Sequence, residues 1–322
     1  MAAEGFGGKA VLIAGPTASG KSPLALALAE RRNGAVINAD SMQVYRELRV
    51  LTARPGPDDE ARAPHRLYGA VSIAEPFSAA RWRAAALAAI AEARAAGRLP
   101  ILVGGSGFYL KALTEGLVEL PPIPEAVRAA ARRRARGLSA RAFPAEIAAR
   151  DPAAARRIGP NDFQRLARAW EVHEATGRAL SDWQADKGEG AMAGEFHAVL
   201  LDPPRERVRQ AASARLAAMV AGGALDEARA VGHLDLALPG LRALGLRELL
   251  AAVRGECSVA EATLKAEHAT HRYIKRQTTW FRHQMRFGAR FEDWRGALAA
   301  LVGEDSGAPS ADARRGRLTI TA

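Results

Sequence analysis

Short apolar runs alternate with segments of helical periodicity along the first hundred residues. The stretch AVLIA at 10–14 is continuously apolar, which is typical of a central strand in a parallel sheet that is covered on both faces. Short runs at 35–38 and 100–105 predict two further strands, and helical patterns at 23–31 and from about 78–96 separate them. Strands that alternate with helices predict an α/β fold with a mostly parallel sheet flanked by helices.

The pattern changes in the middle of the chain. A proline cluster at 121–124 precedes a long arginine-rich and alanine-rich stretch of helical sequence, and the strand-like run FHAVLLD at 196–202 follows it. We therefore predict an inserted all-helical domain at 119–194 within a core formed by 1–118 and 195–322. The last twenty or so residues lack periodicity and are expected to be loose.

Composition narrows the class of protein. A single cysteine, Cys257, excludes a disulfide scaffold and a cysteine-based zinc site, and no apolar run is long enough to span a bilayer. A cytoplasmic location without membrane contact is expected. The 46 lysines and arginines outnumber the 35 acidic residues, and the resulting net charge of +11 favours a polyanionic partner such as nucleic acid, although an arginine-rich composition alone can give such an excess.

A phosphate-binding loop follows the first predicted strand. Residues 15–22 read GPTASGKS and match the pattern G-x-x-x-x-G-K-[ST], in which backbone amides curl around a phosphate at a helix N-terminus. Lys21 would contact the phosphates as a point charge, and the Ser22 hydroxyl would hold Mg²⁺. The predicted phosphate-binding residues are Gly15, Pro16, Thr17, Ala18, Ser19, Gly20, Lys21 and Ser22.

The loop alone leaves the reaction open. A nucleotide-hydrolysing enzyme usually ends a second apolar strand with a magnesium-binding aspartate, whereas the run at 100–105 ends in Gly104 and Gly105. Asp40 is the strand-end carboxylate near the loop. It could cap a turn, bind magnesium as in an ordinary kinase, or accept a proton as a base.

Several spaced blocks resemble the tRNA dimethylallyltransferases. These blocks are GPTASGKS, INADSMQVYREL, APHRL, LVGGSGFYLKAL, NDFQRLARAWEV, LRALGLREL and KRQTTWFR, and they run in order from about residue 10 to about residue 285. The resemblance implies a P-loop core and transfer of a dimethylallyl group from dimethylallyl diphosphate to N6 of the adenosine 3′-adjacent to the anticodon, position 37. It also implies the tRNA anticodon stem-loop as partner. Mg²⁺, which the phosphate loop predicts, is the expected cofactor, and a monomer is expected.

The resemblance also assigns roles to residues of this sequence. Thr17 to Ser22 would cradle the diphosphate, Asp40 would accept the N6 proton, Ser106 would belong to the catalytic site, and Arg205 would help the diphosphate depart. The residues implied to contact tRNA are Asp40, Ser41, Met42, Gln43, Ser106, Arg128, Gln164, Arg165, Leu166, Ala167, Arg168, Arg242, Arg247, Lys275, Arg276, Gln277 and Arg282.

Ser106 stands where the family usually has threonine, and this chain departs from the family pattern at three further positions. Leu51 stands where the family usually has glycine, Arg54 where it has lysine, and Leu246 where it has tyrosine. The loop around Leu51 is therefore expected to sit differently, and any contact of the missing phenol is lost.

Two helical patterns carry arginines opposite an apolar stripe. The stripe at Phe163, Leu166, Ala167 and Trp170 leaves Arg165 and Arg168 outside it, and a long helix from about Val259 repeats the arrangement. A basic face of this kind suits a phosphate backbone, although it is equally typical of a solvated helix surface. Two other functions remain open at this level: a P-loop small-molecule kinase, and a non-catalytic RNA-binding protein that uses the loop as a nucleotide switch.

Overall fold

The computed structural model describes residues 6–137, 142–186, 190–192, 194–236 and 238–303. The C-terminal segment that the sequence predicts to be loose lies outside the described residues. The strands are β1 (Ala10–Ala14), β2 (Gly34–Asn38), β3 (His65–Arg66), β4 (Leu99–Gly104), β5 (Phe196–Leu201) and β6 (Ala289–Phe291). The helices are α1 (Lys21–Arg31), α2 (Pro57–Arg62), α3 (Ala79–Ala95), α4 (Gly107–Thr114), α5 (Glu125–Gly137), α6 (Ala142–Arg150), α7 (Pro152–Arg157), α8 (Phe163–Thr176), α9 (Leu180–Ala185), α10 (Arg205–Ala221), α11 (Ala224–Val231), α12 (Leu246–Val253), α13 (Val259–Gln284) and α14 (Trp294–Val302), with a 3-10 helix at Pro239–Arg242.

The six strands form one sheet in the order β3-β2-β4-β1-β5-β6, and every pairing between them is parallel. The α/β fold predicted from the sequence is thereby confirmed. The short edge strands β3 and β6 were not predicted, because two or three residues are too few to show a strand pattern.

Both faces of the sheet are covered, which explains why β1 is apolar at every position. Leu12 packs on one face in the same cluster as Trp82 of α3, whereas Ile13 packs on the other face with Leu24 and Leu28 of α1. All five side chains are fully buried. Burial of each such side chain stabilises the fold by roughly 1.5–3 kcal/mol.

Parallel pairing brings the carboxyl ends of the strands to one edge of the sheet. Ala14 pairs with Gly104 and with Leu200, and Asn38 pairs with Val103, so β1, β2, β4 and β5 end at the same level. In open α/β sheets ligands bind at this edge. The phosphate-binding loop, Asp40 and Ser106 all follow directly after these strands.

The chain divides into two compact units. One contains residues up to 114 and from 192 onward, and the other is residues 115–191. The regular elements described in the second unit are the five helices α5 to α9, packed around a core that includes Phe143, Leu166 and Trp170. Trp170 donates to Glu146 over 3.0 Å and carries the guanidinium groups of Arg134 and Arg150 over its ring. No described helix is long and apolar enough to cross a membrane.

Candidate active site

The phosphate-binding loop occupies the turn between β1 and α1. Gly15 needs to be glycine, because a Cβ there would lie 2.5 Å from the carbonyl oxygen of Leu201 on β5. Gly20 adopts φ 92° at the N-cap of α1, a left-handed conformation that favours glycine. The loop amides therefore converge at the positive end of an 11-residue helix, which is the geometry that binds phosphate.

Lys21 points back into this loop. Its Nζ donates to the carbonyl oxygen of Pro16 over 2.6 Å. Burial lowers the pKa of Lys21 to about 7; the Asp40 carboxylate opposes this shift and the Arg215 guanidinium adds to it. A lysine whose pKa lies near neutral pH becomes fully protonated when an anion binds beside it, because the anion raises that pKa.

An arginine that the sequence did not single out faces the loop from α10. The Arg215 guanidinium donates a hydrogen bond to Oγ1 of Thr17. Burial lowers the pKa of this guanidinium, and the Asp40 carboxylate partly offsets that effect. Arg215 lies within the stripe formed by Ala212, Leu216 and Met219, and an arginine within an apolar stripe is the signal that could have identified it.

Arg205, which the resemblance implied at the diphosphate, is placed differently. It is the exposed first residue of α10, ten positions before Arg215 and so about 15 Å away along the helix axis. Arg205 does not line the cavity described below, whereas Arg215 does. The arginine that contacts the phosphate loop is therefore Arg215 and not Arg205.

Asp40 is held in place by its own neighbours. The fully buried Asn38 accepts from the backbone N–H of Asp40 over 2.8 Å and donates to its carbonyl oxygen over 3.0 Å. Trp82 donates to the carbonyl oxygen of Asn38 over 2.8 Å, and the Asp40 carboxylate accepts from the N–H of Met42 over 2.9 Å. Asn38 is a positioning residue that sequence analysis missed; a polar residue at the end of a buried strand was its signal.

Ser106 connects two loops at the sheet edge. Its hydroxyl oxygen accepts from the backbone N–H of Ser41 over 2.8 Å and its hydroxyl donates to Oγ of Ser41 over 3.0 Å. Gly104 permits this contact, because a Cβ there would lie 2.0 Å from the carbonyl oxygen of Ala39. The structure thus brings Ser106, Ser41 and Asp40 together.

Of these residues, Thr17, Asp40, Ser41, Met42 and Arg215 line a cavity of about 270 Å³. The lining combines polar side chains, which are expected to meet anions and the reacting base, with apolar ones. The polar lining includes Thr17, Asp40, Ser41, Arg215, Arg242, Tyr273 and Arg276, and the apolar lining includes Met42, Leu51, Leu216, Met219 and Leu244. Burial and then the Asp40 carboxylate raise the pKa of the Tyr273 phenol, so this group stays a hydrogen-bond donor.

A family model for IPP transferase matches residues 43–284. The chain belongs to the IPP transferase family. It is 52% identical over 285 residues to the tRNA dimethylallyltransferase of Rhodospirillum centenum, which covers 88% of this chain and 91% of that protein. It is 54% identical over 279 residues to the tRNA dimethylallyltransferase of Rhodospirillum rubrum, with 86% of each chain covered.

Solved structures agree with this assignment. The full-length tRNA isopentenylpyrophosphate transferase of Bacillus halodurans is 30% identical and superposes with a TM-score of 0.65, over 92% of this chain and 96% of that one. A eukaryotic dimethylallyltransferase acting on tRNA, at 23% identity, shares the fold with a TM-score of 0.72 over 92% of this chain and 72% of that one. The resemblance seen in the sequence blocks is confirmed, and membership in the IPP transferase family favours the prenyl-transfer interpretation over a kinase or a nucleotide switch.

Helix α13 of this IPP transferase carries both exposed cations and a buried polar residue. Lys275 and Arg276 are exposed, and Arg276 lies over the Tyr273 ring at 5.5 Å and lines the cavity. Arg282 is exposed and approaches Asp202 at 3.5 Å. Gln277, in contrast, is only 5% exposed. Its implied contact with tRNA is therefore not supported, because it faces inward.

The remaining implied tRNA contacts of the core unit differ in exposure. Arg242 is exposed at the end of the 3-10 helix and lines the cavity, and Arg247 is exposed on the first turn of α12. Gln43 is half-buried, and its amide donates to the carbonyl oxygens of Thr52 and Ala53 over 2.8 and 3.1 Å. Gln43 thus holds the neighbouring loop.

That loop contains two of the three departures from the family pattern. The Glu227 carboxylate accepts from the backbone N–H groups of residues 49–51, and the Arg54 guanidinium donates to the carbonyl oxygens of Tyr45 and Arg46. Leu51 thereby presents its side chain to the cavity. The third departure, Leu246, is fully buried in the core, so a leucine there fills space.

The helical unit presents some of its implied tRNA contacts and hides others. Arg128, Gln164 and Arg165 are exposed, and Arg168 is half-buried and bonds Glu171 over 3.2 Å. Leu166 and Ala167 lie in the core of the unit, at 0% and 9% exposure. Those two assignments are corrected, because their apolar side chains form the buried stripe of α8.

The loop has oxygen donors that fit a magnesium ion. Ser22 is exposed at the start of α1, and the buried Ser19 hydroxyl has no hydrogen-bond partner among the described residues. No group of three or more histidine, cysteine, aspartate or glutamate side chains in the described ranges could hold a metal by itself. A magnesium ion would therefore be held mainly by the oxygens of a bound diphosphate.

Proposed function

We propose that this IPP transferase transfers a dimethylallyl group from dimethylallyl diphosphate to N6 of adenosine 37, the nucleotide 3′-adjacent to the anticodon, giving N6-isopentenyladenosine and diphosphate. The observation that carries the proposal is the cavity, whose lining combines Thr17 of the phosphate loop, the fixed carboxylate of Asp40 and apolar side chains. The names of relatives more than 50% identical to this chain support the same reaction.

Stabilising the departing diphosphate requires more of the enzyme than activating the N6 amine does. As the N6–C1 bond forms and the bond from C1 to the diphosphate oxygen breaks, negative charge collects on the diphosphate. The Lys21 ammonium, the Arg215 guanidinium and the amides at the N-terminus of α1 lie where they would stabilise that charge. Preorganised groups of this kind usually supply the largest part of a rate enhancement.

Asp40 acts on the other partner. The lone pair of an adenine N6 amine is delocalised into the ring, so the amine is a weak nucleophile. A carboxylate that accepts its proton as the bond forms contributes about 10²–10⁴-fold. Asn38 and Met42 fix Asp40 for this role, and the apolar lining residues, which include Leu51 and Met219, suit the five-carbon group.

Magnesium is part of the proposal. Ser22 and the Ser19 hydroxyl are the loop side chains that would contact it or the phosphate oxygens that carry it. When bound, the ion neutralises charge on the departing diphosphate.

The anticodon stem-loop of tRNA is the proposed acceptor. Arg242 and Arg276 line the cavity, and the exposed Lys275 and Arg282 lie on the same helix as Arg276. These cations suit the RNA backbone, whose contacts offset the few kcal/mol needed to flip the adenosine into the cavity. A monomer and a cytoplasmic location are part of the proposal, and a tRNA substrate suits that location.

Mass spectrometry of tRNA nucleosides tests the proposal. After incubation with dimethylallyl diphosphate and Mg²⁺, an isopentenyl group is expected on adenosine. A parallel incubation with ATP and small-molecule acceptors tests the kinase alternative. Transfer of the γ-phosphate without prenylated nucleoside would contradict the proposal.

A further inference from the structure

Gln277 has a buried side-chain amide whose oxygen and nitrogen both form hydrogen bonds. It belongs to α13, is 5% exposed, and lies between two cationic stretches of the proposed RNA-binding helix. Its Oε1 accepts from the backbone N–H of Thr17 over 2.8 Å, and its Nε2 donates to the backbone carbonyl of Gly105 over 2.9 Å. The side chain therefore joins the phosphate loop after β1 to the loop after β4.

Thr17 is held from two directions. Gln277 fixes its main-chain N–H, and the Arg215 guanidinium fixes its hydroxyl oxygen. Because the Thr17 N–H is already engaged, it is not available to a phosphate, and the cradle is left to the amides that follow it. The direction in which those amides point depends on the backbone at Thr17.

The loops are shaped to receive this side chain. A Cβ on Gly105 would lie 2.3 Å from Nε2 of Gln277, and a Cβ on Gly107 would lie 2.1 Å from the ring of Trp280 on the next turn of α13. Both glycines therefore allow the helix to approach the loops closely. Among the common side chains, glutamine alone combines this reach with one acceptor and one donor: asparagine is shorter, and glutamate lacks the donor.

We propose that Gln277 is a positioning residue of the phosphate loop, which sets the loop conformation through the Thr17 N–H and the Gly105 carbonyl and makes no contact with tRNA. The inference rests on the proposed function for the identity of the donor. Its sequence neighbours Lys275 and Arg276 are exposed, because successive residues of a helix turn by about 100° to different faces.

The test uses Gln277→Leu in the full-length protein, with two matched controls on the same part of the fold. Lys275→Gln removes an exposed charge from α13, and Leu250→Ala removes buried volume from α12, which packs against α13. For each variant the KM for dimethylallyl diphosphate, kcat, the Kd for tRNA and the unfolding midpoint in urea are measured.

Gln277→Leu is expected to raise the donor KM at least about tenfold, because it leaves the half-buried N–H of Thr17 and the buried carbonyl of Gly105 unpaired. The Kd for tRNA should stay within about twofold. Lys275→Gln should raise the Kd for tRNA and leave the donor KM unchanged. Leu250→Ala should lower the unfolding midpoint and leave the donor KM unchanged. A weaker tRNA affinity with an unchanged donor KM in Gln277→Leu would show that Gln277 contacts RNA and would overturn the inference.

Gln277→Glu provides a second route if the leucine variant fails to fold. It keeps the shape and one acceptor but places a carboxylate oxygen against the Gly105 carbonyl, so the donor KM should rise here too. An unchanged donor KM in this variant overturns the inference. The Kd for inorganic pyrophosphate with Mg²⁺ gives the same comparison without turnover. A wild-type protein that forms no prenylated tRNA therefore counts against the proposed function, and unchanged pyrophosphate binding in the Gln277 variants counts against the inference alone.

Discussion

The cations near the phosphate loop and those near the expected RNA surface are held in different ways. At the phosphate loop, Lys21 and Arg215 are half-buried, and each bonds to an atom of that loop. On the side expected to meet RNA, Arg242 and Arg276 are exposed. Enclosed charges have shifted pKa values and act on a reacting group, whereas exposed charges mainly set affinity for a polyanion. Substitutions on the two sides should therefore separate turnover from RNA binding.

The largest effect is expected at Asp40. Asp40→Ala should lower kcat by about 10²–10⁴-fold, because the incoming amine loses its proton acceptor. The Kd for tRNA should change little, since the carboxylate acts on one reacting group. Single-turnover kinetics together with a tRNA-binding titration measure both quantities, and parallel losses in the two would contradict the assignment.

A comparison of two arginines of α10 comes next. Arg215→Ala should lower kcat/KM for the donor by about 10²–10³-fold, the usual consequence of removing one preorganised donor from a developing negative charge. Arg205→Ala should change it by no more than a few-fold, because Arg205 is exposed and does not line the cavity. Steady-state kinetics on the two variants decide the matter, and the opposite ranking would restore the role that the sequence resemblance gave to Arg205.

The pH dependence of donor binding tests Lys21. Its pKa is lowered to about 7 by burial in the free enzyme, so Lys21 is protonated below that pH and loses its proton as the pH rises through it. The diphosphate requires the charged form, and affinity should fall up to about tenfold per pH unit above 7. The Kd of a non-reactive thio-analogue of the donor, measured from pH 6 to 9, should show this slope. A flat profile would mean that Lys21 stays charged throughout.

The smallest effect is expected on the exposed side. Lys275→Gln should weaken tRNA binding several-fold at low salt and reduce the slope of log affinity against log salt by about 1, since one phosphate contact is lost. The kcat at saturating tRNA should be unchanged. Fluorescence titrations at several salt concentrations measure the slope, and an unaltered slope would exclude Lys275 from the RNA contact.

The sequence predicts the parts of the site that lie close together along the chain. The phosphate loop, the strand before it and the helix after it form a local pattern, and the order of apolar runs predicts the parallel sheet. Asp40 is also visible, because it follows a buried strand and the sheet edge collects strand ends.

Contacts between distant segments could not be read in the same way. Arg215 and Gln277 meet Thr17 across 198 and 260 residues, and no local pattern shows that either side chain reaches the phosphate loop. Leu166 and Ala167 illustrate the opposite problem, because a block that resembles the family includes residues that only support their neighbours. The missed contacts and the wrongly included residues have the same cause, because helix packing decides which side of a helix faces the site.

The most direct measurement is the stoichiometry of a single turnover with enzyme in excess over tRNA. The account predicts one diphosphate released for each isopentenyladenosine formed, with both products lost together in Asp40→Ala while tRNA remains bound. Release of diphosphate without alkylated adenosine, or full product formation by Asp40→Ala, would contradict it.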